Sequence, residues 1–123
     1  FIYHRENEPL ALAGLWSEWV DKETGEMLNT FSIVTTEGNS LLEKIHNNPK
    51  LKGPRMPLIL DPEMEDRWID AENNDQDKIK DIIRPYPSEL LLSHTVHRLR
   101  GKDYMGNVEE ISYPVSYQEL PQL

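Results

Sequence analysis

The stretch 31–60, FSIVTTEGNSLLEKIHNNPKLKGPRMPLIL, most limits what this chain can fold into. It reads as a strand, a short helix, a loop and a second strand. Phe31, Ile33 and Thr35 alternate with Ser32, Val34 and Thr36, the period of a pleated strand. Ser40-Leu41-Leu42-Glu43 has the spacing of a capping box and predicts a helix start. Leu41, Leu42 and Ile45 then share one buried face. His46 falls in the last turn, where the partial negative charge of a helix end attracts cations. Pro49, Gly53 and Pro54 exclude regular structure from 47–55. Arg55-Met56-Pro57 leads into Leu58, Ile59 and Leu60, an apolar run suited to a buried strand. A histidine and an arginine thus bracket one loop at a sheet edge. That is a place to hold an anion or to protonate a leaving group.

Upstream, Phe1–His4 reads as a strand end and Arg5–Pro9 as a polar turn. Leu10–Trp19 is a longer strand with apolar residues on both faces at its start, the pattern of a central strand. Gly14 predicts a bulge or a close backbone approach. Asp21–Gly25 is a turn, and Met27–Thr36 returns as the next strand. Residues 1–36 therefore predict an antiparallel meander. Downstream, Asp61 is placed to cap a helix with Pro62 at its first position, and Met64 and Trp68 face the core. Asn73–Gln76 is a polar break. A second helix is expected over Asp77–Ile83, with Ile79, Ile82 and Ile83 inward, ended by Arg84-Pro85-Tyr86-Pro87. Glu89–Leu92 is ambiguous and compatible with helix, and Thr95–Leu99 reads as a strand. After a loop at Gly101–Asn107, the tail from about 108, with Pro114 and Pro121, is expected to be extended or loosely held.

The formal net charge of −9 argues against indiscriminate binding of polyphosphate. The charge is uneven, however. Lys44, Lys50, Lys52 and Arg55 lie in a stretch without a carboxylate, whereas Asp61–Asp81 holds nine carboxylates. The chain of 123 residues contains no cysteine, which removes disulfides, thiolate metal sites and thiol nucleophiles from it. No stretch is apolar and long enough to span a bilayer, so no membrane partner is expected. Phe1 opens directly onto an apolar strand pattern without a leader, and the expectation is that part of the fold lies outside this sequence.

Each candidate side chain has a plainer reading. His46 is an acid–base group, or a polar helix end that solvates the loop. Arg55 is a phosphate clamp or a strand-edge charge. Thr35 and Thr36 can hydrogen-bond a ligand or simply end a strand. Trp16, Trp19 and Trp68 can stack on bases, but their apolar setting predicts core. His4, His94 and His97 lack ligand spacing with His46, and the carboxylates of 61–81 lack that of a calcium loop. Neither a metal nor a cofactor is expected. No phosphate-cradling glycine loop or serine–histidine–aspartate signature is present.

Several stretches, in order, resemble one family. Pro9–Trp16, PLALAGLW, is similar to the P-x-A-F/L-A-G-L-W stretch of SOS-response-associated peptidases (SRAP). Phe31–Asn39 resembles the family's F-T/A-I-I/L-T-T-x-A-N. Ile45-His46 with Arg55–Leu60 resembles its I-H-x-R-M-P-V/A-I-L. Arg67-Trp68-Ile69 and Arg84-Pro85-Tyr86-Pro87 recur in the same order. The likeness runs from about Phe1 to Pro87 and is weak after Leu91. His46 and Arg55 are separated by Asn47–Pro54, where the family pattern has one residue.

The resemblance implies an α+β fold, with an antiparallel, partly barrel-like sheet and short peripheral helices. It implies that residues 1–123 are the C-terminal portion of a single SRAP-like domain, whose missing N-terminal segment is a partner. That segment starts with a cysteine and also supplies an asparagine and a glutamate. The implied function is recognition of abasic sites in single-stranded DNA, with a thiazolidine crosslink through that cysteine and an associated autopeptidase activity. His46 carries over as the catalytic histidine, Arg55 as a DNA-phosphate contact and Thr35 as a residue lining the pocket. An intracellular setting follows, cytoplasmic as in bacteria or nucleoid-associated. The competing readings are a non-catalytic binding or structural fragment, and an acid–base hydrolase built on His46.

Overall fold

The computed structural model describes residues 1–46, 50, 52–73 and 75–120. They fall into two compact units: Leu10–Ser88, and Phe1–Pro9 with the described residues from Glu89 onward. The architecture is α+β, with antiparallel strand pairs, three short helices and no closed barrel among the described residues.

The larger unit is made from three chain segments that each change partner at one residue. The first holds β2 (Ala11–Leu12) and β3 (Gly14–Val20), the second β4 (Met27–Ile33) and β5 (Thr35–Glu37), and the third β6 (Arg55–Pro57) and β7 (Ile59–Leu60). β2 pairs with β7, β3 with β4, and β5 with β6. The breaks fall at Ala13, Val34 and Leu58, and these three close a ring of backbone hydrogen bonds. Ala13 N–H donates to Leu58 O at 2.9 Å, Leu58 N–H to Val34 O at 2.8 Å, and Val34 N–H to Ala13 O at 3.0 Å. Residues that leave a ladder would otherwise bury unpaired amides, and the ring satisfies them. Ala13 and Leu58 are fully buried there, and with Leu60 and Ile82 they form the core. Ala11, Val34, Met64 and Trp68 pack against it.

This arrangement corrects four expectations. Residues 1–36 are not a meander, because β2 pairs with β7 and only β3–β4 is a hairpin. The long strand breaks at Ala13, whereas Gly14, expected to mark a bulge or a close backbone approach, continues the β3 ladder across from Ile33. Nor is β3 central: its one recorded ladder is with β4. Trp16 is 75 % exposed and Trp19 50 %, so neither is core. Alternation reports which side chains share a face; it does not report whether the same polypeptide covers that face. Trp68, in contrast, is partly buried against the core, and its Nε1–H donates to Gly14 O at 3.1 Å.

The hairpin turn forms as expected, with Gly25 at a φ of 73°. Asp21 Oδ1 accepts from the amides of Glu23 at 2.7 Å and Thr24 at 3.0 Å. The Thr24 amide, and then that of Glu23, holds the Asp21 carboxyl below its ordinary pKa of 3.8. A lowered folded-state value means that this support is present above the ordinary pKa and is lost as pH falls through the lowered one. Amide protection at Glu23 and Thr24 is therefore expected to fall as pH drops below the ordinary value of 3.8, and Asp21→Asn should abolish that dependence. Protection factors that stay constant in the native chain would refute this role.

Three helices surround the strands. α1 spans Ser40–Ile45, and its N-cap is Asn39 rather than the expected Ser40. α2 spans Pro62–Ile69, with Pro62 at its start as expected. Asp61 occupies the N-cap position but makes no side-chain cap bond; its Oδ2 lies 3.0 Å from Arg84 Nη2. α3 spans Gln76–Ile82, capped by Asp75 Oδ1 on the Asp77 amide at 3.0 Å. Ile82 is buried, whereas Ile83, expected inward, is exposed because it already lies past the last turn.

In the smaller unit, β1 (Ile2–His4) pairs with β8 (Leu91–Ser93), so the strand lies earlier than the expected Thr95–Leu99. A 3-10 turn at Ser88–Leu90 precedes it. Residues 94–96 instead hold the tail. Val115 N–H donates to Thr95 O at 2.9 Å, Thr95 Oγ1 to Val115 O, and Tyr117 Oη to Val96 O at 2.9 Å. Glu109–Ser112 forms a 3-10 turn, and His94 Nε2 donates to Ser112 O at 2.8 Å. Pro121 lies outside the described residues.

Candidate functional site

β5 and β6 place the candidate residues by simple alternation. Thr35 pairs with Pro57, Thr36 with Met56 and Glu37 with Arg55. Successive side chains point to opposite faces. Thr36 and Met56 are buried, and Thr35, Glu37, Arg55 and Pro57 lie on the outer, exposed face. There, Arg55 Nη2 donates to Thr35 O at 2.7 Å and to Thr35 Oγ1 at 3.0 Å. Thr35 thus orients the guanidinium. Nη1 and Nε make no hydrogen bond or ion pair among the described residues, so each keeps donors that can turn to an anion. Glu37, not singled out from the sequence, stands directly across the ladder from Arg55. Its carboxylate opposes an incoming anion.

α1 is tied to this strand pair at its start. Gly38 N–H donates to Pro54 O at 2.8 Å, and a Cβ at Gly38 would lie 2.8 Å from Pro54 Cβ. Only glycine allows so close an approach to a rigid ring. Asn39 then works twice: Oδ1 accepts from Leu42 N–H at 3.0 Å, and Nδ2 donates to Tyr86 O at 2.7 Å. Ser40 Oγ, freed from capping, meets Ser88 Oγ at 2.9 Å. The sequence signal for Asn39 was present, since asparagine is among the strongest N-caps.

His46 sits one residue beyond its expected place, at the C-cap of α1, with its N–H on Leu42 O at 2.8 Å and its side chain exposed. Arg55 and Thr35 are therefore brought together. No hydrogen bond or ion pair links His46 to either among the described residues. The expected 47–54 loop between them falls partly outside those residues, at 47–49 and 51.

A groove of about 730 Å³ lies elsewhere in the larger unit. Leu12, Leu15, Trp16, Trp68 and Ile69 are among its walls, and Glu65, Asp66 and Asp70 border it. None of Thr35, His46 and Arg55 lines it. Among the described residues, no three histidines or carboxylates gather as metal ligands, and no helix is long and apolar enough to cross a membrane.

Comparison with known proteins settles the ancestry of this arrangement. Residues 1–102 match the family described as SOS response associated peptidase (SRAP). The chain belongs to the SRAP family. One relative is the abasic site processing protein YoqW of Bacillus subtilis, 36 % identical over 89 residues, covering 72 % of this chain and 36 % of YoqW. Another is the abasic site processing protein HMCES of Pongo abelii, 32 % identical over 108 residues, covering 86 % of this chain and 27 % of HMCES. A crystal structure of a protein from Bacteroides thetaiotaomicron superposes with a TM-score of 0.75 at 28 % identity, covering 94 % of this chain and 47 % of that one. The SRAP segment described here thus spans about a third of the length of YoqW and about half of that crystallised chain.

Proposed function

We propose that this SRAP chain serves in processing abasic sites in DNA, as the C-terminal portion of a single SRAP domain. The observation that carries the proposal is Arg55, held by Thr35 on an exposed strand pair, in a chain whose relatives bear that name. In this reading the substrate is single-stranded DNA. Arg55 holds a backbone phosphate, and Thr35 keeps the guanidinium in place against the abasic residue. His46 exchanges protons at the sugar, assisting ring opening of the abasic residue and reversal of the adduct.

The covalent step belongs to an N-terminal cysteine outside these residues. Its amine condenses with the sugar aldehyde and releases water, giving an imine; its thiol then adds to the imine carbon and closes a thiazolidine. The same site carries the autopeptidase activity. With no cysteine among its 123 residues, this polypeptide offers an amine but no thiol for ring closure. The setting is intracellular, cytoplasmic or nucleoid-associated.

Strand affinity against salt tests the proposal. Arg55→Ala in the full-length protein is expected to weaken binding of intact and abasic single strands alike, by about 1–3 kcal/mol. It should also flatten the salt dependence by about one phosphate contact. Glu37→Gln removes the opposing charge and should strengthen binding by about 0.2–1 kcal/mol at low salt. Should Arg55→Ala leave both affinity and salt slope unchanged, the phosphate contact would have to be placed elsewhere.

A further inference from the structure

One face of the β3–β4 hairpin is mostly apolar, interrupted by the Glu18–Asn29 pair between its two apolar ends. Register places Ile33 across from Gly14, Phe31 across from Trp16, and Met27 across from Val20. All five of these large side chains are exposed, Trp16 by 75 % and Phe31 by 81 %. The opposite face is more mixed, with Leu15, Trp19 and Leu28 set among Ser17, Thr30 and Ser32. At Trp16 the apolar face runs into the groove walled by Trp68 and Ile69. Five exposed large apolar side chains on one face, adjoining a groove, mark an interaction site rather than a solvated face.

We infer that the Trp16–Phe31 face, with the adjoining groove, is the seat of the portion of an SRAP chain that this polypeptide does not match. Two observations choose that occupant. The first is length, since the chain covers 47 % of the crystallised relative and 36 % of YoqW. The second is charge. Glu18 shares the apolar face, Asp21, Glu23 and Glu26 surround its tip, and Glu65, Asp66 and Asp70 border the groove. Bases stacked on Trp16 and Phe31 would bring their phosphates among these carboxylates, which repel them. A polypeptide with apolar side chains buries the same surface without that cost. The occupant's identity rests on the proposed function, whereas the face itself does not.

The test adds the unmatched part of YoqW, produced as a separate polypeptide, to this chain. A one-to-one complex in sedimentation is expected, with tryptophan emission shifted to the blue as Trp16 leaves water. Phe31→Asp, at a site too exposed to disturb folding, should weaken the complex about tenfold or more. Trp19→Ser, on the other face, should leave it within about threefold. No complex, or equal loss from both substitutions, would overturn the assignment. So would a dimer of this chain that the added polypeptide cannot dissociate, or a single-stranded oligonucleotide that displaces it. Each of these results leaves the Arg55 salt experiment unaffected, so the two readings fail separately.

Discussion

His46→Ala in the full-length protein is expected to slow crosslink formation or its reversal by about 10²–10⁴-fold, the range of a positioned acid–base group. Binding of intact single strands should scarcely change. The structure makes the substitution a clean one. His46 closes α1 through its backbone N–H on Leu42 O, which alanine retains, and its ring is exposed. Helix and strand pair should therefore survive the loss of the ring. Crosslink kinetics, measured beside strand affinity, separate this from the Arg55 result. Arg55→Ala should fail in affinity, and His46→Ala in rate. Were His46→Ala to lower affinity as much as Arg55→Ala and leave the kinetics alone, the histidine would be part of the binding surface and its acid–base role would be lost.

Leu58→Ala should cost about 2–5 kcal/mol of folding stability, the range for emptying a fully buried leucine site. Leu58 is completely buried beside Ala13, Leu60 and Ile82, and both its backbone groups are engaged in the three-residue ring. The ring holds the main chain in place, so the cavity cannot readily collapse. In urea unfolding the midpoint should fall with little change in slope. Phe31→Ala, on the exposed hairpin, provides the contrast and should change stability by less than about 0.5 kcal/mol. A loss under about 1 kcal/mol for Leu58→Ala would show that the junction lies outside the cooperative core.

Features carried by single residues were legible in the sequence. Pro62 marked the start of α2, Gly25 the hairpin turn, and Pro85 with Pro87 the end of the helical region. The start of α1 was misread by one residue because Asn39 and Ser40 are adjacent capping types, and only the asparagine side chain reaches the Leu42 amide. Partner exchange at Ala13, Val34 and Leu58 left no mark, since alternation continues through a break while the hydrogen-bonding neighbour changes. Leu90-Leu91-Leu92 is a short apolar run, for which periodicity does not separate helix from strand. At the candidate site, Arg55 and Thr35 were each visible as strand-edge residues. Their contact was not, because it depends on a register that sets Glu37, rather than Thr35, across from Arg55.

The ring at Ala13, Val34 and Leu58 also governs where this chain can tolerate insertions and deletions. It is a three-way joint from which each segment leaves in two directions, so each joint residue sets the phase of two strand pairs at once. One residue inserted into β2, β5 or β7 would turn its side chains to the other face while the pairs beyond the joint kept theirs. An insertion in β5 would put Thr35 inward and Thr36 outward, with Arg55 left facing the wrong partner. The turn at Asp21–Gly25 lies outside every ladder that meets at the joint. Length can vary there at only the slow entropic cost of a longer closure.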